Sequence, residues 1–154
     1  MRDPKIAVLG IGNPLCRDDG LGIRVVHIMQ SSGYAGVDII DGGTAPDLFS
    51  LLDESVEKLV IVDALKGKGE PGSIYRLEVG VENISSAQPA ASLHGLGVVD
   101  SLQLMVRLGI RPPKVIIIGV EPFDVGNGLG LSPQMEALVS QVISEVEKEL
   151  EELY

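Results

Sequence analysis

Apolar residues fall in four short, dense runs: Lys5–Gly12 (KIAVLGIG), Gly36–Gly43 (GVDIIDGG), Glu57–Ala64 (EKLVIVDA) and Pro113–Pro122 (PKVIIIGVEP). The first, third and fourth are nearly continuous in Val, Ile and Leu, the pattern of strands covered on both faces. Gly72–Val79 (GSIYRLEV) alternates instead and reads as an edge strand or hairpin arm. Between the runs the period lengthens to that of helices. Leu21, Val25, Ile28 and Met29 share one face of a helix that Asp18 or Asp19 can cap and that runs to about Gln30. A short helix is expected near Pro46–Leu52, and another from about Ser92 to Leu108, with Val98, Leu102 and Met105 in phase and Gly109 as its stop. The last helix opens with Ser132 as cap and Pro133 in the first position. Its buried stripe is Met135, Leu138, Val139, Val142, Ile143 and Val146, and it is expected to fray into the acidic tail EKELEELY. Val81–Ser92 reads as a long loop. Strands alternating with helices predict one α/β domain over residues 1–154. It is a three-layer sandwich, a twisted and mostly parallel sheet of about five strands with helices on both faces.

Composition agrees with that architecture and narrows the partners. With aromatics at 3% and no Trp, the core must be filled by Val, Ile and Leu, as a buried parallel sheet requires. The net charge of -10, with no basic cluster, excludes nucleic acid, whose binding rests on Lys and Arg neutralising phosphates. One cysteine, Cys16, allows no intrachain disulfide. The opening MRDPK leads straight into a strand-like run rather than a signal peptide, and no apolar run is long enough to span a bilayer. The expectation is a cytoplasmic monomer that does not engage membranes, with an acidic tail that favours solubility.

Ligands of open α/β sheets bind beyond the carboxyl ends of the strands. Those ends are rich in acids here. Asn13, Asp18 and Asp19 follow the first run, Asp41–Thr44 (DGGT) the second, Asp63 ends the third, and Val120–Pro122 (VEP) follows the fourth. His94, in SLHGLG, stands at the expected start of the third helix, which the topology can bring to the same rim. Asp18 is most simply a helix cap, and Asp19 would then sit in a first turn that welcomes any anion. Asp63 is harder to dismiss, because a carboxylate ending a buried strand is costly unless paired, hydrogen-bonded or metal-bound. One acid after the first strand, Asp63 and His94 together make a donor set for a divalent ion with positions left open. His27 is expected on the first helix without a role. Cys16 beside the site could offer a thiolate, but a free cysteine usually behaves as a small hydrophobe.

Three families share pieces of this pattern. A dinucleotide-binding domain would use Gly10 and Gly12, with Asp41 on the ribose. Leu15 occupies its third glycine position, however, and Asp18 and Asp19 would face the pyrophosphate. Gly10–Pro14 (GIGNP) resembles the opening motif of peptidyl-tRNA hydrolases, but CRDDGLG follows where that family needs a histidine, and the acidic balance opposes tRNA. The third resemblance covers nearly the whole chain. Gly10–Gly22 (GIGNPLCRDDGLG), Asp41–Pro46 (DGGTAP), Val60–Leu65 (VIVDAL), His94–Leu102 (HGLGVVDSL), Ile118–Pro122 (IGVEP) and Gly128–Pro133 (GLGLSP) are similar, in order, to the hydrogenase maturation endopeptidases.

That resemblance implies a phosphorylase/hydrolase-like α/β fold. It also implies a peptidase that clips a C-terminal extension from the large-subunit precursor of a [NiFe] hydrogenase after nickel insertion. It implies no tightly bound metal of the chain's own: the nickel arrives in the substrate and is recognised by Asp19, Asp63 and His94, which are also the catalytic candidates. Some members carry Glu where Asp19 stands. Asp41, Gly42, Gly43 and Thr44 would select the substrate. The glycine loop would then present a carboxylate to a cation rather than cradle a phosphate. A rival of another class is a nickel-dependent chaperone that holds the precursor without cutting it. A further rival is a plain metal-binding protein, which would bind nickel tightly in isolation.

Overall fold

The computed structural model describes residues 4–44, 46–67, 69–79 and 96–151. Five strands form one sheet: β1 (Ile6–Gly10), β2 (Val37–Asp41), β3 (Lys58–Ala64), β4 (Ile74–Val79) and β5 (Lys114–Val120). Their order is β2-β1-β3-β5-β4, parallel throughout except for β4, which pairs antiparallel with β5. The central strands carry the continuous apolar runs because both faces are covered. Every residue of β1 and β3 is buried, and so are Val115–Val120 of β5. The alternating run is the antiparallel edge strand that its pattern predicts.

Two cores lie on opposite faces of the sheet. On one, Val8, Val60, Val62, Ile116 and Ile118 pack against α1 (Leu21–Ser32), α4 (Pro133–Glu136) and α5 (Val139–Leu150). On the other, Leu9, Leu59, Ile61 and Ile117 pack against α2 (Leu48–Leu51) and α3 (Leu96–Arg107). The expected stripes are the buried ones: Leu21, Val25 and Met29 on α1, and Val98, Leu102 and Met105 on α3. Gly109, at φ +73°, ends the third helix as a left-handed stop. Among the described residues no helix is long and apolar enough to cross a membrane.

The C-terminal helix departs from expectation. It does not fray from Glu147 onward but holds to Leu150. Lys58, only 1% exposed at the start of β3, reaches that end of the helix. Its Nζ donates to the Glu149 carbonyl at 2.7 Å and lies 3.3 Å from the Glu149 carboxylate. Arg76 on β4 grips the same carboxylate at 2.7 and 3.1 Å. Two cations from two strands thus fasten an acidic helix end. The Arg76 bond, ahead of the bond from Lys58, holds the Glu149 carboxyl below the usual carboxylate range. The loop expected over Val81–Ser92 lies outside the described residues.

Candidate functional site

The loop leaving β1 is built around lack of space. A Cβ on Gly10 would lie 2.2 Å from the Gly22 carbonyl oxygen, and one on Gly12, at φ +150°, would lie 1.9 Å from that of Asp19. A Cβ on Gly22 would meet the Val62 carbonyl at 2.2 Å. The glycines therefore seat the start of α1 directly on the ends of β1 and β3. A 3₁₀ turn, Arg17–Gly20, carries Asp19 and packs against β3. The Asn13 N–H donates both to the Asp19 carbonyl and to its carboxylate, each at 3.2 Å. Asp19 is thus half-buried with its side chain oriented from below. Asp63 is the penultimate residue of β3 and fully buried, opposite Gly119 of β5. Among the described residues no buried side-chain nitrogen or oxygen lacks a hydrogen-bond partner. The two carboxylates come from neighbouring elements at the carboxyl edge of the sheet, as the topology rule requires.

Asp18 does not cap α1. The helix is entered through the 3₁₀ turn, its cap position is Gly20, and no side chain caps it. The Asp18 carboxylate turns the other way and is wholly buried. Oδ2 accepts from the Phe123 and Asp124 N–H groups and from the Ser132 hydroxyl, each at 2.9 Å, while Oδ1 accepts from the Ser132 N–H at 2.7 Å. One buried charge with four donors ties Asp19's turn to the loop after β5 and to the start of α4. The Ser132 hydroxyl also caps α4, accepting from the Met135 N–H at 3.2 Å as the Ser-Pro signal predicts. The two loops are sewn together further by Arg17 N–H to Gly128 carbonyl at 3.0 Å and Gly128 N–H to Leu15 carbonyl at 2.8 Å. Arg17 adopts φ +47°, a left-handed conformation unusual outside glycine, at the point where the loops join. Cys16 is half-buried in the same seam, where its N–H donates to the Asn13 carbonyl at 3.0 Å.

The DGGT loop adjoins this turn. Gly42 N–H donates to the Gly10 carbonyl at 2.8 Å, and Gly12 N–H to the Gly43 carbonyl at 3.0 Å. Asp41 is exposed, and its Oδ1 accepts from the Gly43 N–H at 3.0 Å. His27 is not idle: its Nε2 lies 2.7 Å from Asp41 Oδ2. Thr44 is exposed at the loop's end.

His94 lies outside the described residues, the described part of α3 beginning two positions later at Leu96. Among the described residues no three His, Cys, Asp or Glu side chains form a metal-binding group. Glu121, the acid of the VEP stretch, is buried and points away from solvent, accepting from the Gly67 N–H at 2.8 Å and the Tyr75 hydroxyl at 3.0 Å. Burial first, and the bond to Glu121 second, raise the Tyr75 phenol above its usual range. Sequence reasoning missed the partners of Asp18 and His27, which join residues 105 to 114 and 14 positions apart.

Comparison with known proteins points to one family. The family model described as hydrogenase maturation protease matches residues 23–149. The hydrogenase 2 maturation protease of Escherichia coli is 32% identical over 150 residues, an alignment covering 92% of this chain and 88% of that protein. The hydrogenase expression/formation protein HupD of Thiocapsa roseopersicina is 33% identical over 144 residues, and there the chain spans only 65% of the relative's length. The solved structure of the E. coli hydrogenase maturating endopeptidase HybD superposes with a TM-score of 0.82 at 30% identity, covering 96% of this chain and 92% of that one. The dinucleotide-binding and peptidyl-tRNA hydrolase readings of the first loop therefore give way, and the chain belongs to the hydrogenase maturation protease family.

Proposed function

We propose that this chain removes a C-terminal extension from the large-subunit precursor of a [NiFe] hydrogenase once nickel has been inserted. Asp19, Asp63 and His94 meet the nickel carried by that substrate, and Asp41–Thr44 reads the surrounding surface. The observation that carries the reading is the seating of Asp19's turn on the end of β3, where Asp63 lies. Two carboxylates carried to that edge by neighbouring elements suit a cation brought from outside, and the family resemblance supplies His94 as a third donor.

The two acids differ in a way that divides their roles. Asp63 is fully buried, which suits a fixed donor. Asp19 is partly exposed and reaches water, which suits proton exchange. In the hydrolysis, water attacks the scissile carbonyl carbon and gives a proton to the Asp19 carboxylate. The carbon–nitrogen bond then breaks, and the departing amine takes that proton. Nickel carried by the substrate would supply a Lewis acid for the scissile carbonyl, with Asp63 and His94 holding its position.

Single-turnover cleavage separates these roles. Asp19→Asn should lower the cleavage rate of the bound precursor by a factor on the order of 100 or more, as expected for loss of a general base, a larger effect than its loss of one nickel contact has on binding. Asp63→Asn and His94→Ala should weaken binding of the nickel-loaded precursor as well. Normal cleavage by His94→Ala would remove that histidine from the account. Stable association with a correct precursor and no cleavage by the unaltered chain would point to the chaperone reading.

A further inference from the structure

We propose that His27 is a positioning residue that sets the geometry of the DGGT loop, and through it the affinity for the protein substrate. The inference rests on the reading of Asp41–Thr44 as the substrate-selecting loop. It starts from a carboxylate used on both sides. Asp41 Oδ2 meets His27 Nε2 at 2.7 Å, and Oδ1 holds the Gly43 N–H at 3.0 Å. The imidazole stands on α1, a helix whose opposite face is in the core, so it offers a fixed reference to the end of β2 and the residues that follow it.

The loop's backbone is joined to β1 by the Gly42 and Gly12 bonds, and two of its four residues are glycines, with Gly43 at φ +66°. Glycine places few limits on backbone angles, so the direction of the Gly43 N–H depends on the carboxylate it meets. Without His27, the Asp41 carboxylate keeps its bond to the Gly43 N–H but loses the contact on its other oxygen that fixes its rotation, so the turn is held less firmly. The effect is also placed to travel. Gly43 carbonyl accepts from Gly12 N–H at 3.0 Å, and the next residue, Asn13, donates to the Asp19 carbonyl and carboxylate. His27 thus stands at one end of a hydrogen-bonded series that ends at Asp19, while the Asp18 anchor holds the far side of that turn.

Because Asp19 is fixed from that other side, loss of His27 should fall on recognition rather than on the chemical step. His27→Ala should raise KM for the nickel-loaded precursor about three- to tenfold, the range for one ordinary hydrogen bond, because this pair is exposed to water, with kcat within about twofold. His27→Gln, whose amide can still donate to Asp41, should recover most of the loss, and His27→Ala should add little in an Asp41→Ala background. Amide NMR of the unliganded chain gives a readout that needs no activity. In His27→Ala the Gly43 and Gly12 resonances should shift and exchange faster with solvent, while those of β3 and β5 stay in place. Unmoved loop resonances would overturn the coupling. Moved resonances with unchanged KM, or an equal fall in kcat, would overturn the positioning role. If the unaltered chain fails to cut a verified precursor, the functional reading falls, and the NMR comparison still decides whether His27 orders the loop.

Discussion

Asp18 offers the sharpest separation between two physical readings of one residue. As a helix cap it could be replaced by Asn with almost no effect, because Asn and Asp are equally good at that position. As a buried anion with four donors it cannot. An asparagine can keep its oxygen at Oδ2, where Phe123, Asp124 and the Ser132 hydroxyl donate, but its NH₂ then faces the Ser132 N–H 2.7 Å from Oδ1. One bond becomes a donor–donor clash, and the other three lose their charge assistance. A hydrogen bond to a charged group is worth about 1.5–3 kcal/mol, and an orphaned buried donor costs about 1–3 kcal/mol. The expected loss for Asp18→Asn is therefore about 2–4 kcal/mol, and for Asp18→Ala about 3–5 kcal/mol, some relief coming from water entering the loosened loop. For a chain of 154 residues, 3 kcal/mol corresponds to a fall in Tm of roughly 6–12 °C. Urea and thermal unfolding followed by far-UV circular dichroism would measure it. A change under about 0.5 kcal/mol for Asp18→Asn, the level of an ordinary surface substitution, would refute the anchor.

Three further outcomes follow from the geometry. Glu149, held below its usual range by Arg76 and Lys58, contributes stability that is present above the unfolded carboxylate value, near pH 4.3, and is lost as pH falls through the lower folded value. Acid titration of unfolding free energy should therefore show a flatter slope below about pH 4.5 in Glu149→Gln than in the unaltered chain, and parallel curves would contradict the network. Gly12→Ala must push the Asp19 backbone away from a Cβ that would sit 1.9 Å from its carbonyl oxygen. It should cost about 2–3 kcal/mol in urea unfolding and at least about tenfold in cleavage rate. Cys16→Ala should leave cleavage within about twofold, because its thiol acts as a small apolar group in the loop seam; a larger loss would make it a ligand.

What could be read from the chain follows from where the forces lie. β1, β3 and β5 were legible because strands covered on both faces leave unbroken apolar runs, and β4 because an edge strand alternates. The start of the last helix was legible because Ser132 and Pro133 signal through their neighbours alone. Asp18 was misread because a cap is a local explanation, whereas its partners Phe123, Asp124 and Ser132 lie more than a hundred positions away. Lys58 and Arg76 stabilise a tail whose run of glutamates, seen alone, looks repulsive. The placement of Asp19 and Asp63 at the carboxyl edge of the sheet was legible from topology, since one follows β1 and the other lies at the end of β3. His27 was not, because an exposed helical histidine carries no mark of the loop it will meet.

The central claim is that a nickel-bearing precursor is cut at this carboxyl edge. Intact-mass spectrometry of a hydrogenase large-subunit precursor, nickel-loaded and nickel-free, incubated with the unaltered chain and with Asp63→Asn, tests it most directly. Loss of one C-terminal peptide is expected only when nickel is present and Asp63 is intact. Equal cleavage of the nickel-free precursor, or undiminished cleavage by Asp63→Asn, would contradict it.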